Sequence, residues 1–207
     1  MNHRETGLRK YRALFASDFD GTLLRSDKTI APSVYRSLER LEENNVARVI
    51  ATGRSLYSLF TVIDMDFPVE YIVFSSGAGI LRMSDEMVLR SRGFESEDTA
   101  RISEELISRG YDFMIHHPIP DNHHFYYHYT GGENEDFHRR CEHYADYARP
   151  LEAQGEKEFL SSQFVIVQPD GREEETVETL EEEFGERVTV VRTTSPLDNR
   201  SAWIELF

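Results

Sequence analysis

The feature that most constrains the fold is an acidic run at residues 16–24, with the sequence ASDFDGTLL. It directly follows Tyr11 to Phe15, an apolar stretch that is typical of a short buried strand. Asp18 and Asp20 therefore come just beyond the end of a strand, where open α/β sheets bind their ligands. A carboxylate there can act as a nucleophile, a metal ligand or a general acid, and a pair can divide those tasks. A plain turn, which aspartate and glycine often form, is the alternative interpretation.

A second polar segment, Thr52, Gly53 and Arg54, follows the next predicted strand, Val46 to Ala51. Arg54 offers a forked, charged donor to a phosphate or to another group of a substrate. Taken alone, this segment is equally typical of an ordinary helix start in which Ser55 is the N-cap.

The acidic run resembles the first signature of the haloacid dehalogenase (HAD) superfamily of phosphohydrolases, and within it the Cof-type branch, whose members carry a large α/β cap. This resemblance implies that Asp18 attacks phosphorus to give an aspartyl-phosphate. It implies that Asp20 protonates the leaving oxygen and then activates water. It also implies that Mg²⁺ is bound by the other carboxylate oxygen of Asp18 and by the backbone carbonyl of Asp20. A hard cation with oxygen ligands suits such a site.

The segment after the second strand is similar to the second motif of the same superfamily. The resemblance implies that Thr52 hydrogen-bonds a phosphoryl oxygen, that Gly53 lets the backbone approach it, and that Arg54 contributes to phosphate binding. Cof-type relatives usually carry an asparagine before a Gly-Ala pair, and here Ser76 stands in that place, after the predicted strand Tyr71 to Phe74. A hydroxyl there can still bind phosphate; a simple glycine turn that leads into a hairpin is the alternative.

The order of predicted elements indicates two domains. Over residues 8–83 short strands alternate with helices, which predicts a parallel α/β sheet. Over residues 84–207 strands paired through turns alternate with helices, which predicts an α+β module. The resemblance implies that the fold class is α/β, with the N-terminal part of a HAD-like Rossmannoid core and an inserted α+β cap.

Cof-type relatives continue beyond a segment that resembles residues 201–207, with a lysine and then an acidic Gly-Asp-x-x-Asn-Asp motif that completes the Mg²⁺ site. This sequence stops before both, and it has no lysine after Lys157. We therefore expect it to be about two-thirds of a longer protein, or a natural fragment whose core is completed by a second chain. In the family order the remaining part supplies two strands beside the Asp18 strand, which would otherwise be an open edge.

A segment rich in histidine and tyrosine, residues 116–128, has no standard zinc-ligand spacing. The alternation from Phe125 to Tyr129 favours a half-buried strand of the cap sheet. The alternative is substrate recognition, in which His116, His124 and Tyr126 contact a sugar or another polar ring.

Composition limits the partners. A net charge of −15 argues against general binding to nucleic acid or to anionic membranes. The acidic cluster at residues 173–186 is most simply the solvated face of an amphipathic helix, and a cation-binding role is the alternative. A single cysteine, Cys141, and the lack of a secretion signal or a transmembrane stretch lead us to expect a reducing, cytoplasmic location.

Together these features predict a Mg²⁺-dependent phosphatase that acts on a small phosphorylated metabolite, such as a sugar phosphate or a similar monoester. A phosphomutase shares the aspartyl-phosphate step and is one alternative. The other alternative, favoured by the lack of the lysine and the acidic motif, is a truncated protein that binds a phosphorylated ligand without catalysis.

Overall fold

The computed structural model describes residues 11–154, 159–169, 173–195 and 197–207. The chain divides into two compact units, Met1–Arg90 and Ser91–Phe207. Each unit has its own sheet: five strands in the first and six in the second.

The first unit is built on a sheet in which three strands run parallel, as the alternating pattern predicts. In order across the sheet, the strands are β1 (Ala13–Asp18), β2 (Val46–Ala51), β3 (Tyr71–Phe74), β4 (Gly79–Arg82) and β5 (Met87–Ser91). β1, β2 and β3 are parallel, whereas β4 returns antiparallel to β3. The bounds of β2 and β3 are those predicted from the sequence. The boundary predicted at residue 83 falls between β4 and β5, which neighbour each other in one sheet, whereas the two compact units divide between Arg90 and Ser91, at the end of β5.

The helices of this unit follow the local sequence. α1 (Pro32–Glu43) begins with a proline, whose fixed φ suits the first helical position, and it buries Leu38. α2 (Leu56–Leu59) is capped by the hydroxyl of Ser55, but it is much shorter than the helix predicted over residues 55–64. Three consecutive β-branched residues, Thr61 to Ile63, disfavour its continuation, because their side chains lose rotamer freedom in a helix.

β1 forms one edge of this sheet, two to three residues further along the chain than predicted. Among the described residues it pairs only with β2. Both of its faces are bare, because Leu14 is 66% exposed and Phe15 37% exposed, whereas Ile50 of β2 and Ile72 of β3 are fully buried. Parallel strands are normally covered on both faces, and an open apolar edge invites pairing with another chain.

The second unit is an α+β module, as predicted. Its strands are β6 (Phe113–His116), β7 (Phe125–His128), β8 (Ala148–Pro150), β9 (Gln163–Gln168), β10 (Val190–Thr194) and β11 (Ala202–Leu206). They lie in the order β10-β11-β9-β6-β7-β8, and neighbouring strands are antiparallel except β7 and β8, which are parallel. β8, a strand of three residues, was not predicted from the sequence.

Two separate cores lie on the two faces of the second sheet. The helices are α3 (Ser96–Ser108), α4 (Glu135–His143) and α5 (Glu173–Phe184). Phe113 and Ile115 pack with apolar residues of α3 and α5, whereas Met114, between them in the strand, packs with Phe137 of α4. Neighbouring strand residues point to opposite faces, which explains this division. α5 turns Leu180 inward and its glutamates outward, as its amphipathic pattern predicts.

A buried carboxylate joins α4 to β11. Asp136 is 2% exposed, and it accepts hydrogen bonds from Trp203 Nε1 at 2.6 Å and from the hydroxyl of Ser195 at 2.8 Å. Asn134 caps the helix by accepting from the N–H of Phe137. These polar contacts fix the start of α4, since a buried polar group is costly without a partner.

Nothing in the described part of the chain is both long and apolar enough to be a membrane-spanning helix.

The bare edge of β1 gives the first testable expectation. In the 207-residue chain, Leu14→Lys should leave the melting temperature almost unchanged, because surface substitutions usually change stability by about 0.5 kcal/mol or less. The same variant should lower self-association in light scattering, since a charge blocks edge pairing. The matched control, Ile50→Lys, places a charge in the core and should cost about 3 kcal/mol or more. Strong destabilisation by Leu14→Lys in this chain would show that β1 is covered.

Candidate active site

The register of the parallel strands brings the predicted site segments to one edge of the first sheet. Asp18 pairs with Ala51, and Ala51 pairs with Val73. The segments that follow β1, β2 and β3 therefore begin side by side at the carboxyl ends of the strands, where open α/β sheets bind ligands.

A tight turn holds the two aspartates at the end of β1. The N–H of Leu24 donates to the carbonyl of Phe19 at 2.8 Å, which folds the chain back. Gly21 adopts a φ of +77°, in the left-handed region that glycine enters without steric cost. Asp18 and Asp20 are both exposed at this turn, whereas Phe19 between them is fully buried and anchors it.

Asp18 has one oriented oxygen and one open oxygen. The hydroxyl of Thr22 donates to Asp18 Oδ2 at 3.3 Å. Within the described ranges, no group donates a hydrogen bond to Oδ1. An exposed carboxylate whose second oxygen is held by a neighbour is suited to nucleophilic attack through the first.

Asp20 is held by a bidentate ion pair. Arg54 Nε donates to Asp20 Oδ2 at 2.8 Å, and Nη2 donates to Oδ1 at 2.7 Å. The third nitrogen, Nη1, donates to both the carbonyl and the hydroxyl of Ser58 at 3.2 Å. The guanidinium also lies 5.7 Å from the centre of the Phe19 ring. In this structure the forked donor predicted to bind phosphate is therefore paired with the predicted acid/base.

Backbone hydrogen bonds join the second polar segment, residues 52–54 after β2, to the third, residues 75–79 after β3. Thr52 is buried, and its N–H donates to the carbonyl of Val73 at 2.9 Å. The N–H of Ser76 donates to the carbonyl of Thr52 at 3.2 Å, and that of Ser75 donates to the carbonyl of Arg54 at 2.9 Å. The Thr52 hydroxyl accepts from the N–H of Arg54 at 3.2 Å. The two segments are therefore held together by hydrogen bonds.

Ser76 lies against Gly53, where these two segments meet. A Cβ built on Gly53 would be 3.5 Å from the Ser76 hydroxyl oxygen. Ser75 and Ser76 have φ values of 49° and 53°, so both are left-handed. Such residues cost about 1–3 kcal/mol each and cluster at functional sites. The structure thus brings together all six residues predicted for catalysis and phosphate binding at this sheet edge.

The donor set fits a hard divalent cation. No group of three or more histidine, cysteine, aspartate or glutamate side chains in the described residues could hold a metal ion by itself. Mg²⁺, however, is usually held by one or two carboxylates together with waters and phosphate oxygens. Asp18 can provide one such ligand with Oδ2, because a carboxylate oxygen that accepts the Thr22 hydroxyl still has a second lone pair. The second ligand implied by the resemblance is the backbone carbonyl of Asp20, which the ion pair of its side chain does not occupy.

In the second unit, His116 is buried with both ring nitrogens in contact with partners. Its Nδ1 lies 2.6 Å from the carbonyl oxygen of Asn122, and its Nε2 lies 3.3 Å from Nη2 of Arg140. These partners require the neutral tautomer that is protonated at Nδ1. Burial, and then the charge of Arg140, lower the pKa of His116 to about 3. No ring nitrogen of His116 is left free to contact a substrate in this arrangement.

The structure does not bring His116, His124 and Tyr126 together. His116 pairs across the strands with Phe125 and packs against its ring. Tyr126 follows Phe125 in β7 and therefore points to the other face of the sheet. There Tyr126 stacks on His117 at 5.2 Å between ring centres, and His124 lies 5.7 Å from the same ring. Substrate contact by His124 and Tyr126 stays a prediction.

Three residues that contact the predicted site residues were not predicted from the sequence: Thr22, Ser58 and Arg140. Thr22 and Ser58 follow Asp18 and Arg54 by four residues, a spacing that could have suggested contact within a turn. Arg140, which contacts His116, belongs to a different element, and no local pattern links the two.

With its carboxylate pair at the end of a parallel strand, the chain belongs to the haloacid dehalogenase-like hydrolases, whose family model matches residues 15–197. This confirms the resemblance found in the sequence motifs. The chain is 33% identical over 101 residues to a phosphoglycolate phosphatase of Natronomonas pharaonis; that alignment covers 48% of this chain and 42% of the length of that protein.

Solved structures show the same fold. A protein of Thermotoga maritima superposes with a TM-score of 0.70 at 22% identity, covering 95% of this chain and 69% of that one. A HAD subclass IIB sugar phosphatase superposes with a TM-score of 0.58 at 18% identity, covering 93% of this chain and 68% of that one. These similarities confirm the predicted HAD-like fold with a cap.

The environment of His116 predicts how acid affects the second unit. The pKa of His116 falls from its ordinary value of 6.5 to about 3 in the folded chain. The unfolded chain therefore binds the proton of His116 more tightly than the folded chain. The contribution of the neutral imidazole to the free energy of unfolding is complete well above pH 6.5 and is lost as the pH falls toward 3. Between pH 7 and pH 5 the loss is about 2 kcal/mol.

Urea unfolding at several pH values measures this effect. Between pH 7 and pH 5, the free energy of unfolding of His116→Gln should fall less than that of the wild type, whatever its value at pH 7. His143→Gln, which removes an exposed histidine, is the control and should keep the slope of the wild type. Equal slopes for the wild type and His116→Gln would contradict the assignment.

Proposed function

We propose that this chain carries the nucleophile and the acid/base of a phosphatase that hydrolyses a small phosphorylated metabolite through an aspartyl-phosphate. The main support is the arrangement at the end of β1, where the open oxygen of Asp18 lies at the same sheet edge as Asp20 and Thr52. Membership of the haloacid dehalogenase-like hydrolases supports the reaction class.

In the first step, Asp18 Oδ1 attacks phosphorus. A bond forms between this oxygen and phosphorus, the bond to the leaving oxygen breaks, and Asp20, which enters this step protonated, gives its proton to that oxygen. The Thr22 hydroxyl holds Oδ2, so that Oδ1 is presented to the substrate. In the second step, the oxygen of a water molecule attacks phosphorus and the bond between Asp18 Oδ1 and phosphorus breaks, which frees phosphate and the carboxylate of Asp18. Asp20 takes a proton from the water and so regains its acid form.

Phosphate binding is assigned to the hydrogen-bonded unit formed by the second and third segments. Thr52 and Ser76 offer hydroxyl groups, and Gly53 leaves room for the backbone to approach a phosphoryl oxygen. Arg54 supplies a positive charge at this edge. Donors fixed in advance where charge accumulates contribute to the rate, typically about 10²- to 10³-fold for each one.

Mg²⁺ is the cofactor we propose, held by the carboxylate of Asp18 and the backbone carbonyl of Asp20. When bound, it would offset the negative charge of the phosphoryl oxygens.

The proposed substrate is a sugar phosphate or a similar monoester. The similarity to a phosphoglycolate phosphatase and to a sugar phosphatase supports a small phosphorylated metabolite. In the second unit, His124 and Tyr126 are the proposed substrate contacts. Tyr126 stacks on His117 and the ring of His124 lies tilted beside it, so the group offers ring faces and polar ring atoms of the kind that suits a sugar.

Composition supports the remaining proposals on partners and location. The net charge of −15 disfavours nucleic acid and anionic membranes as partners. Cys141 is a free thiol, and burial raises its pKa to about 11, so it stays protonated and unreactive in a reducing cytoplasm.

We also propose that residues 8–83 are the N-terminal part of a catalytic core to which further strands are added at β1, from a continuing segment or a second chain. The support is the bare edge of β1 and the exposure of Leu14 and Phe15. The variant Leu14→Lys tests this, because it should be tolerated in the 207-residue chain and destabilising once such strands cover Leu14.

The role of Asp18 is tested by Asp18→Asn. With Mg²⁺ present, turnover of p-nitrophenyl phosphate should fall by about 10³-fold or more, because an amide does not replace the nucleophile. The melting temperature should stay unchanged, since the side chain is exposed. Asp66→Asn, at an exposed aspartate of the same unit, is the control and should keep full activity. Unchanged turnover by Asp18→Asn would contradict the proposal.

A further inference from the structure

The ion pair between Arg54 and Asp20 conflicts with the tasks that the proposed function gives to these residues. Both carboxylate oxygens of Asp20 accept N–H groups of Arg54, at 2.7 and 2.8 Å. An acid/base must instead present an oxygen to the leaving group or to water. The nitrogens Nε and Nη2 of Arg54, which would grip a phosphate, are the same two that hold Asp20.

The geometry of Arg54 allows one partner on this edge at a time. The paired N–H groups of a guanidinium match two oxygens of either a carboxylate or a phosphate. Nη1 is fixed by the carbonyl and hydroxyl of Ser58, so the position of the guanidinium does not depend on Asp20. The Asp20 side chain is 49% exposed and that of Arg54 is 23% exposed. The carboxylate therefore has room to rotate away while the guanidinium stays anchored.

We propose that Arg54 is a positioning residue that exchanges Asp20 for the phosphoryl group when substrate binds. In the free protein its Nε and Nη2 hold the carboxylate of Asp20. A phosphoryl group takes over these two N–H groups and so releases the carboxylate of Asp20 to face the leaving oxygen. Once free of the guanidinium, the carboxylate takes up from solvent the proton that it then gives to that oxygen. Phosphate binding thereby prepares the acid/base. This inference rests on the proposed function and adds the order of events within the same site.

Exchange of the Asp20 carboxylate for a phosphoryl group on Arg54 has a thermodynamic consequence. Mere closeness of Asp20 to the phosphate site would not have this consequence. If phosphate must displace Asp20 from Arg54, part of its binding free energy is used to break the ion pair. Removing the carboxylate should then tighten phosphate binding, and only as long as Arg54 is present. A general loss of negative charge would tighten binding equally with or without Arg54.

A double-mutant cycle on phosphate affinity separates these cases. The four proteins are the wild type, Asp20→Asn, Arg54→Gln and the double variant, all as the 207-residue chain. Equilibrium dialysis against radiolabelled inorganic phosphate, at a fixed Mg²⁺ concentration, gives a dissociation constant for each without any need for turnover. Melting temperatures verify that each variant is folded.

In the protein that keeps Arg54, Asp20→Asn should lower the dissociation constant for phosphate about fivefold or more. In the Arg54→Gln background, the same substitution should lower it less than about twofold. Arg54→Lys keeps the charge but not the fork, and in its background Asp20→Asn should also have little effect. It serves as the second variant if Arg54→Gln does not fold.

The outcomes are distinct. The same factor for Asp20→Asn in both backgrounds would overturn the exchange and leave the phosphate site intact. If none of the four proteins binds phosphate, the proposed site itself fails, and the exchange fails with it.

Discussion

The hydrogen-bonded register of three parallel strands is the constraint on which the rest of the site depends. It places Asp18 beside Ala51, and Ala51 beside Val73, so that three polar segments start from one sheet edge. A shift of one residue in either pairing would turn the side chains of a strand to its other face. The catalytic assignment therefore relies on backbone pairing in the sheet interior, where Ile50 and Ile72 are fully buried.

At that edge, electrostatics decides what each carboxylate can do. Asp18 keeps one oxygen open because, among the residues that the structure describes, only Thr22 donates a hydrogen bond to its carboxylate. By contrast, both carboxylate oxygens of Asp20 accept hydrogen bonds from Arg54. The two aspartates are two residues apart, yet they have different environments, which supports the different tasks proposed for them. Anchoring Arg54 at Ser58 makes its paired N–H groups a site for which Asp20 and a phosphoryl group compete.

Local sequence predicted the elements whose pattern and chain order agree. The strands Val46–Ala51 and Tyr71–Phe74 were predicted to the residue, because each is a short apolar run bounded by polar segments. The helix predicted over residues 55–64 was too long, since β-branched residues end it after one turn. Likewise, a motif indicates residue types but not their partners: it did not predict the pairing of Asp20 with Arg54, and no pattern linked His116 to Arg140.

The most direct test of the central claim identifies the residue that carries the phosphoryl group. The protein is mixed with a phosphate monoester and Mg²⁺ and quenched in acid during turnover, and borohydride then reduces any acyl phosphate to the alcohol. Peptide sequencing by mass spectrometry should find homoserine in place of aspartate at Asp18 and unchanged aspartate at Asp20. Homoserine at Asp20, or at neither position while phosphate is released, would contradict the account.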